Sequence, residues 1–388
     1  MYDKSQQIPS NHNNQNRRIR ILHTLGWVAS GGVEQRRLVL ASGLPKDKYE
    51  HVILTQETAG GLPDLLRAEG WKIHEIGNAP HILSPSWHQR AYEIAREFQP
   101  DIIHGAVYEG VGLANILGWR LPKAKVISEE TSDPTNRSWR GNVLLQLLCL
   151  RSSAVIGVSP SVADYLRNIA HIPARKVKLI NNAVLPAPNL TLPQLQEYRQ
   201  SLGLKDTDFV IGSVGRVFDE YKRFSDLIRA LKILHDQGFV QAKLLIIGGG
   251  PDEQVLANLA AEFGLTKSVI FAGYQAEARH YYPLMDIFAL ASIREAFGLV
   301  LVEAMLAQVP VIATSVGGMP YVLGQGKAGI LVPPNSPHDF AKAIFSLYQN
   351  PLQRQKIAEA GRMRAELEFS AERYCNEIDA LYESLAKL

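Results

Sequence analysis

Short apolar runs alternate along the chain with longer segments in which apolar residues recur every three or four positions. The short runs have the length and the β-branched content of strands, and the longer segments have the period of amphipathic helices. Near-continuous apolar strands separated by helices are typical of parallel sheets covered by helices on both faces. The predicted strands are residues 19–24, 51–55, 71–76, 102–104, 125–128, 154–158, 177–180, 209–214, 243–247, 269–272, 287–291, 309–313 and 329–332.

A proline-rich stretch divides this alternation into two halves. Residues 184–193, VLPAPNLTLP, place three prolines in ten positions, which predicts an extended connector rather than a helix or a central strand. We therefore predict an α/β fold of two doubly wound, Rossmann-like domains around a central cleft, over residues 19–187 and 188–369. Residues 1–18 are predicted to be a disordered tail, and the amphipathic segment at about 370–388 is predicted to be a helix.

Composition and charge restrict the class of partner. The 388 residues are 46% hydrophobic and 20% charged, as in ordinary globular proteins. The net charge is only +3 and is carried by the first twenty residues, so the rest of the chain lacks the basic stripe of a nucleic-acid-binding protein. Cys149 and Cys375 have no metal-ligand spacing, which predicts neither a disulfide framework nor a zinc site. The absence of a signal peptide and of a membrane-spanning apolar run predicts a cytoplasmic protein.

The most informative motif is REAFGLVLVEAML, residues 294–306, which follows a predicted strand. Gly298 is expected to begin a helix whose free N–H groups, near Phe297, Gly298 and Leu299, can hold a phosphate. Glu303 lies about a turn and a half into that helix among apolar residues, so its carboxylate needs hydrogen-bond donors. The paired hydroxyls of a ribose would supply them, and a neighbouring loop would serve equally well.

The sequence GRVFDEYKRF follows the strand predicted at residues 209–214. Gly215 permits a tight exit from that strand, and Arg216 and Lys222 extend from the loop at the carboxyl end of the sheet. Two cations beside the helix N-terminus at Gly298 would neutralise a diphosphate, because fixed positive charge stabilises a leaving anion. The alternative for both is a solvated surface charge, which is the ordinary state of an isolated Arg or Lys.

A glycine pair begins the first predicted helix of the chain. Gly31 and Gly32 follow the strand predicted at residues 19–24, and glycine lets a ligand approach the backbone closely. A plain turn between a strand and a helix explains the pair equally well. The loop matches neither GxGxxG nor GxxxxGK followed by Ser or Thr, so it supports neither a standard dinucleotide fingerprint nor a P-loop.

Taken in chain order, these motifs resemble those of the family-4 glycosyltransferases, retaining enzymes of the GT-B fold that transfer a sugar from a nucleotide-sugar donor. The resemblance covers nearly the whole chain and rests on EAFGLVLVEAMLAQVPVIAT, on SVGGMP directly behind it and on VGRVFDEYKRF well ahead of it. It implies that the first domain is on the acceptor side, that the second binds the nucleotide sugar, and that the C-terminal helix crosses back to pack on the first domain. It also implies that no metal and no cofactor are needed, because Arg and Lys charges take the place of a divalent cation.

The family implies roles for the candidate residues of the second domain. Glu303 would bind the ribose, and Glu295 would contact the hydroxyls of the donor sugar. Arg216 and Lys222 would clamp the diphosphate. Tyr274 lies where similar enzymes offer backbone contacts to the base. These roles match the chemistry that the residue types allow, since a carboxylate accepts from hydroxyls and cations bind phosphate.

Backbone contacts and one departure from the family complete the predicted site. The backbone of residues 297–299 would hold phosphate or sugar, and that of residues 31–32 would close over the diphosphate from the other domain. Many relatives carry a His after the fifth strand, facing the donor sugar, where this chain reads ISEETSDPTNRS. Glu130 in that loop is a catalytic candidate to replace the missing His. His104, which ends the preceding strand, is the nearest His by topology, and a structural hydrogen bond is the alternative for it.

The resemblance implies a metal-independent, retaining hexosyltransferase. It would move a hexose or N-acetylhexosamine from a UDP-linked donor to a glycan or lipid-linked acceptor in a bacterial surface-polysaccharide pathway. A lipid-linked acceptor raises the question of membrane contact, and RSWRGNVLLQLLCLR, residues 137–151, has a Leu-rich face flanked by Arg. A buried core helix is the favoured interpretation of this segment. The alternative is weak peripheral docking, together with Trp27, Arg36 and Arg37, on the inner face of the cell membrane.

Other classes of function stay open from the sequence. A nucleotide-sugar-binding protein without turnover would keep the donor pocket and lack the His. A non-hydrolysing nucleotide-sugar epimerase would also use two doubly wound domains around a cleft, and its product would be an altered but intact nucleotide sugar. A nicotinamide oxidoreductase ranks behind both because the loop after the first predicted strand does not match the dinucleotide-binding fingerprint GxGxxG.

Overall fold

The computed structural model describes residues 17–29, 31–78, 84–131 and 137–387, so the predicted tail lies outside the described residues as far as residue 16. Every predicted strand is present, with its bounds shifted by at most two residues. Two further strands of two residues each are too short to show a period in the sequence. In chain order the strands are β1 (Ile19–Thr24), β2 (Trp27–Val28), β3 (Tyr49–Thr55), β4 (Glu57–Thr58), β5 (Lys72–Glu75), β6 (Ile102–Ala106), β7 (Lys125–Glu130), β8 (Ala154–Gly157), β9 (Val177–Leu179), β10 (Phe209–Val214), β11 (Ala242–Ile247), β12 (Val269–Phe271), β13 (Ile287–Leu290), β14 (Val311–Thr314) and β15 (Ile330–Val332).

Helices connect the strands, and among the described residues 3-10 helices cover Ala278–Leu284 and Gly324–Gly326. The α-helices are α1 (Gly32–Gly43), α2 (Leu62–Ala68), α3 (Pro85–Phe98), α4 (Val107–Arg120), α5 (Trp139–Leu148), α6 (Pro160–Asn168), α7 (Leu192–Ser201), α8 (Asp219–Lys222), α9 (Phe224–Asp236), α10 (Glu253–Glu262), α11 (Leu299–Leu306), α12 (Met319–Val322), α13 (Pro337–Gln349), α14 (Pro351–Glu368) and α15 (Ala371–Ala386). The helix α7 begins inside the predicted connector because Pro193 fits a first helical turn, where no N–H is needed.

Two parallel sheets form the centres of the two halves. The first has the strand order β5-β3-β1-β6-β7-β8-β9 and the second β12-β11-β10-β13-β14-β15, and all neighbours in both are parallel. The strand order reverses between β1 and β6 in one sheet and between β10 and β13 in the other. Open α/β sheets bind ligands at the carboxyl ends of the strands beside such a reversal. The predicted fold class, two doubly wound Rossmann-like halves, is confirmed.

The helix α15 packs on the first half, although the helix before it packs on the second. Tyr374, Ile378 and Tyr382 of α15 belong to the same core cluster as residues of β1 and α1. On its outer side, Lys48 Nζ lies 2.6 Å from Oδ1 of Asp379. By contrast, α14 packs against α11. The chain therefore crosses between the halves twice, once in the connector and once between α14 and α15.

One buried carboxylate joins several segments of the first half. Glu129, near the end of β7, lies 2.9 Å from Nη2 of Arg36 and 3.0 Å from Nη2 of Arg37, both on α1. Arg36 also donates to Oδ1 of Asn182, just before the connector, at 2.6 Å. Burial alone would raise the pKa of Glu129, but the charges of Arg36 and Arg37 outweigh it and hold that pKa well below its usual range. The expectation that Arg36 and Arg37 face a membrane is wrong, because both are buried.

The helix α5 is not the buried core helix that the sequence favours. Of its ten residues only Leu145 is buried, whereas Trp139 is 71% exposed and Leu147 is 55% exposed. Val162 and Leu166 of α6 belong to the same core cluster as Val155 of the neighbouring strand β8. Because α6 supplies this apolar cover, α5 is free to present most of its surface to solvent.

We expect Glu129→Gln to lower the free energy of unfolding by about 3 to 5 kcal/mol, because it leaves two buried guanidinium groups without a carboxylate. Denaturant unfolding followed by fluorescence measures this loss. Asp64→Asn is the matched control, since it removes a carboxylate that lies 2.8 Å from Arg67 in an exposed pair. We expect the control to lose less than about 1 kcal/mol. Equal losses in the two variants would contradict a special role for the buried carboxylate.

Candidate active site

A cavity of about 530 Å³ lies between the carboxyl ends of the two sheets. The first half contributes the N-terminus of α1, the connector contributes one wall, and the second half contributes α11 and the loops after β10, β11 and β12. A cavity of this volume fits a ligand the size of a small nucleotide. The predicted site residues in its lining are Gly31, Gly32, Gly215, Arg216, Tyr274, Leu299 and Glu303.

Glu303 faces this cavity from α11. Its Oε2 accepts a hydrogen bond from the Tyr282 hydroxyl at 2.6 Å. Among the described residues Oε1 has no donor, so it is available to a ligand in the cavity. Burial raises the pKa of Glu303, while the hydrogen bond from Tyr282 and the charge of Arg279 act in the opposite direction.

The two predicted cations of the diphosphate clamp differ in their surroundings. Arg216 is exposed at the cavity, and its guanidinium group has no hydrogen bond or ion pair with any residue in the described ranges. Lys222 ends α8, and its Nζ lies 2.7 Å from Oε2 of Glu295. The Lys222 side chain passes Gly215, with Cε 3.7 Å from the position that a Cβ would take there. The structure therefore brings Lys222 and Glu295 together as an ion pair beside the cavity.

Backbone packing holds the loop between Glu295 and α11. Gly298 precedes α11 in the left-handed conformation, with φ of 90°, and the Phe297 side chain is buried in the core. Gly317, with φ of 54°, lies so close that a Cβ there would be 1.9 Å from the carbonyl oxygen of Glu295. The Gly318 N–H donates to that same carbonyl at 2.9 Å. Only glycine fits at position 317 without displacing the loop.

The two halves contact each other around the cavity. A Cβ on Gly32 would lie 2.4 Å from Cδ1 of Leu299, so the start of α1 touches the start of α11. The Ser159 hydroxyl donates to the carbonyl of Ala296 at 3.1 Å. Tyr274 extends into the cavity with 56% of its surface exposed. The glycine pair of the first half therefore meets the N-terminal end of α11 across the cleft.

A second cavity, of about 370 Å³, is lined by Glu295, which does not line the first cavity. Asn142 of α5 and Tyr165 of α6 line it from the first half, and Glu295 lines it from the second. Arg137 also lines it, and Arg137 Nη1 donates to Oε2 of Glu130 at 2.7 Å. Glu130 is thus brought to the edge of the second cavity through Arg137 rather than into the lining of the first.

His104 reaches neither cavity, which corrects the hypothesis that it faces the donor sugar. Its side chain is fully buried, with Nδ1 2.8 Å from the Tyr382 hydroxyl and Nε2 3.4 Å from Glu129. Burial, together with the charge of Arg37, lowers the pKa of His104 to about 4, so the ring is neutral at neutral pH. His104 is therefore a hydrogen-bonded histidine of the core, as the alternative interpretation of the sequence proposed.

Sequence reasoning missed two residues of the site, Arg279 and Tyr282, both in the 3-10 helix Ala278–Leu284. Arg279 lines the cavity, donates to the Glu277 carboxylate at 2.9 Å and donates to the carbonyl of Pro186 in the connector at 3.3 Å. A signal was present, since the segment follows a strand whose carboxyl end faces the cleft. A short 3-10 helix has no hydrophobic period that would have marked its inward face.

Two family models match the chain in succession. The model described as Glycosyltransferase Family 4 matches residues 30–187, and the model described as Glycosyl transferases group 1 matches residues 195–364. A glycosyltransferase of Methanocaldococcus jannaschii is 30% identical over 339 residues, which cover 81% of this chain and 84% of that protein. The capsular polysaccharide biosynthesis glycosyltransferase CapM of Staphylococcus aureus is 31% identical over 186 residues, which cover 47% of this chain and 48% of CapM.

Solved structures share the fold over almost the whole chain. Anabaena HepE in complex with UDP-glucose superposes with a TM-score of 0.82 at 22% identity, over 94% of this chain and 100% of HepE. A sucrose-phosphate synthase from Thermosynechococcus elongatus superposes with a TM-score of 0.74 at 22% identity, over 95% of this chain and 99% of that chain. Both family models and the archaeal relative thus lead to one assignment: this chain belongs to family 4 of the glycosyltransferases and has the GT-B fold.

Proposed function

We propose that this glycosyltransferase moves a hexose or N-acetylhexosamine from a UDP-linked donor to a hydroxyl of a glycan or lipid-linked acceptor, with retention and without a metal ion. The observation that carries the proposal is the cavity in which Glu303, Arg216 and the backbone at Gly31 and Gly32 converge. A carboxylate accepts from ribose hydroxyls, a guanidinium binds diphosphate, and glycine lets phosphate approach the main chain. These three chemistries together match a nucleoside diphosphate.

The similar proteins support the finer parts of this proposal. HepE has been crystallised with UDP, with UDP and glucose, and with UDP-glucose, which favours uridine as the base and a hexose as the sugar. The Bacillus anthracis relative is named N-acetyl-alpha-D-glucosaminyl L-malate synthase, which favours an N-acetylhexosamine as an alternative donor sugar, and CapM is named for capsular polysaccharide biosynthesis. An acceptor in surface-polysaccharide synthesis is consistent with the name of CapM. Cys149 and Cys375 are both free thiols, which supports a cytoplasmic location because the cytosol keeps thiols reduced.

In the proposed reaction the bond between the sugar C1 and the diphosphate oxygen breaks, and the acceptor oxygen bonds to C1 on the same face. The acceptor proton passes to the leaving phosphate oxygen, so no protein nucleophile is required. Arg216 and Lys222 stabilise the negative charge that develops on the diphosphate, and they take the place of a divalent cation. Contact between the two halves excludes water, whose attack on C1 would compete with transfer.

The Lys222–Glu295 ion pair gives each partner a defined position before the donor binds. Its Nζ to Oε2 distance is 2.7 Å, and the two side chains are only partly exposed. We propose that Glu295 accepts hydrogen bonds from the donor sugar while Lys222 turns toward the diphosphate past Gly215.

Two outcomes of a product assay would favour other functions. Nucleotide binding without any UDP release indicates a protein without turnover, and an altered but intact nucleotide sugar indicates an epimerase.

We expect UDP to bind in preference to GDP, ADP and NAD, and Glu303→Ala to weaken UDP binding by ~1 to 3 kcal/mol through lost ribose hydrogen bonds. Isothermal titration calorimetry measures both effects. Because burial raises the pKa of Glu303, its carboxylate is protonated at a higher pH than an ordinary Glu and then loses acceptor strength. The difference in affinity between the unmodified protein and Glu303→Ala should therefore shrink as the pH falls.

The exposed Glu359 on α14 provides the control for this variant. Glu359→Ala should bind UDP as the unmodified protein does at every pH. Unchanged UDP affinity in Glu303→Ala would remove the ribose role. Binding of NAD in place of UDP would contradict the proposal as a whole.

Lys222→Ala should lower kcat for UDP release from UDP-glucose by roughly a hundredfold while changing donor affinity little, since the charge acts mainly on the leaving diphosphate. Steady-state kinetics with a panel of glycan acceptors separates kcat from KM. Lys222→Arg keeps the charge and should recover part of the lost rate. Equal kcat in Lys222→Ala and in the unmodified protein would exclude this lysine from the reaction.

Gly317→Ala should weaken the binding of UDP-glucose more than that of UDP, because a Cβ at this position displaces the loop that begins at Glu295 and faces the sugar. Calorimetry with the two ligands measures the difference. Gly326→Ala is the matched control, since Gly326 also has a left-handed φ, of 90°, but no atom lies within 4 Å of its Cβ position. Equal effects of the two variants on the affinity ratio would show that backbone strain alone is responsible.

A further inference from the structure

The loop that carries Glu295 is held by both halves of the molecule. On the side of the second half, the Glu295 carbonyl accepts a hydrogen bond from the Gly318 N–H at 2.9 Å. The next carbonyl of the loop, that of Ala296, accepts instead from the Ser159 hydroxyl of the first half at 3.1 Å. Ala296 also packs against the core cluster of the first half that includes Val162 of α6. Two successive residues of one loop are therefore bound by different halves.

The Ser159 hydroxyl is fully buried and uses all of its hydrogen-bonding capacity. Its oxygen is the N-cap of α6, where it accepts from the Val162 N–H at 3.3 Å, and it lies 2.9 Å from the Ser161 hydroxyl oxygen. A hydroxyl has one proton to donate and two lone pairs that accept. Because the Ser159 proton is directed at the Ala296 carbonyl, Ser161 is the donor in their shared bond. Three partners thus fix the direction in which Ser159 donates.

Ser159 has no access to a ligand. It follows β8 at the carboxyl end of the first sheet, and it is not among the described residues that line either cavity. Any effect of Ser159 on the reaction must therefore pass through the loop that it holds. In that loop Glu295, which forms an ion pair with Lys222, directly precedes the carbonyl that Ser159 binds.

We propose that Ser159 is a positioning residue for sugar transfer: its bond to the Ala296 carbonyl places the Glu295 carboxylate for the donor sugar while the two halves are in contact. This inference rests on the proposed contact between Glu295 and the donor sugar. A displacement of reacting groups by about 1 Å can slow an enzyme a hundredfold, so a single bond that holds such a loop is enough to affect the rate. The competing explanation is that Ser159 only caps α6.

The two roles of Ser159 need different chemistry, and this difference separates them. The cap needs an oxygen that accepts, whereas the bond to Ala296 needs a proton that is donated. Ser159→Asp keeps the acceptor and, when ionised, has no proton to donate. Ser159→Ala loses both functions, and Ser159→Thr keeps both.

Steady-state kinetics of UDP release from UDP-glucose, with calorimetry of UDP and UDP-glucose, tests the positioning role. We expect Ser159→Asp and Ser159→Ala to lower kcat about tenfold and to reduce the preference for UDP-glucose over UDP, with UDP affinity unchanged. Ser159→Thr should retain most of the rate. In a Glu295→Gln background, Ser159→Ala should lower kcat little further, because both substitutions remove the same contact with the sugar.

Asn350→Ala is the matched control for the loss of a helix cap. The Asn350 side chain accepts from the Gln353 N–H at 3.0 Å at the start of α14, and no described residue of α14 lines either cavity. We expect Asn350→Ala and Ser159→Ala both to unfold at a lower temperature, since each loses a cap. Only Ser159→Ala should lose kcat.

Three results would overturn the inference. The first is full kcat in Ser159→Asp, because the cap would then explain the loss in Ser159→Ala. The second is a changed preference for UDP-glucose in Glu295→Gln but not in the Ser159 variants, which would leave the proposed function standing. The third is unchanged kcat and unchanged preference in Glu295→Gln itself, which would remove the proposed role of Glu295 and the inference together.

Discussion

The buried carboxylate of Glu129 is the interaction on which the arrangement of the first half depends. Its two oxygens hold the two arginines of α1, so the helix that begins at the glycine pair is fixed against the carboxyl end of the sheet. Arg36 also donates to Asn182, just before the connector, and the neighbouring Asn181 donates to the Tyr321 hydroxyl of the second half at 2.7 Å. A buried ion pair of this kind costs desolvation energy and gives a fixed geometry in return. The position of the glycine pair at the cavity is part of that geometry.

Hydrophobic periodicity is sufficient to predict the fold but not the burial of particular charges. The strands of both sheets follow from apolar runs, because a strand covered on both faces must be apolar throughout. Arg36 and Arg37 look in the sequence like two solvated residues on a helix. Only the approach of β7, which is distant along the chain, supplies the carboxylate that lets them be buried. The exposure of α5 was missed for the same reason, since the packing of α6 on β8 decides it.

The candidate site shows the same division between local and long-range information. Gly298 and Glu303 were predicted because a loop, a helix start and an isolated carboxylate lie within a few residues of one another. The hydrogen-bond partners of the two carboxylates were not predicted. Tyr282 reaches Glu303 from a short 3-10 helix, and Lys222 reaches Glu295 from another loop. The charges of Lys222 and Glu295 offset each other in their ion pair, so Arg216 is the cation that an approaching diphosphate meets first. In the proposed reaction Arg216 thus contacts the diphosphate before Lys222 does, and both cations then stabilise its negative charge.

The position of α15 has a consequence for how the chain acquires its structure during synthesis. Domains usually fold in order as they leave the ribosome, the N-terminal one first. Here Tyr374, Ile378 and Tyr382 complete the core of the first half, so that core stays open until residues 371–386 have emerged. The second half is translated, and is able to form its own sheet, while the apolar face that α15 will cover is still exposed. The nascent first half is therefore the part of this protein that most needs protection by a chaperone.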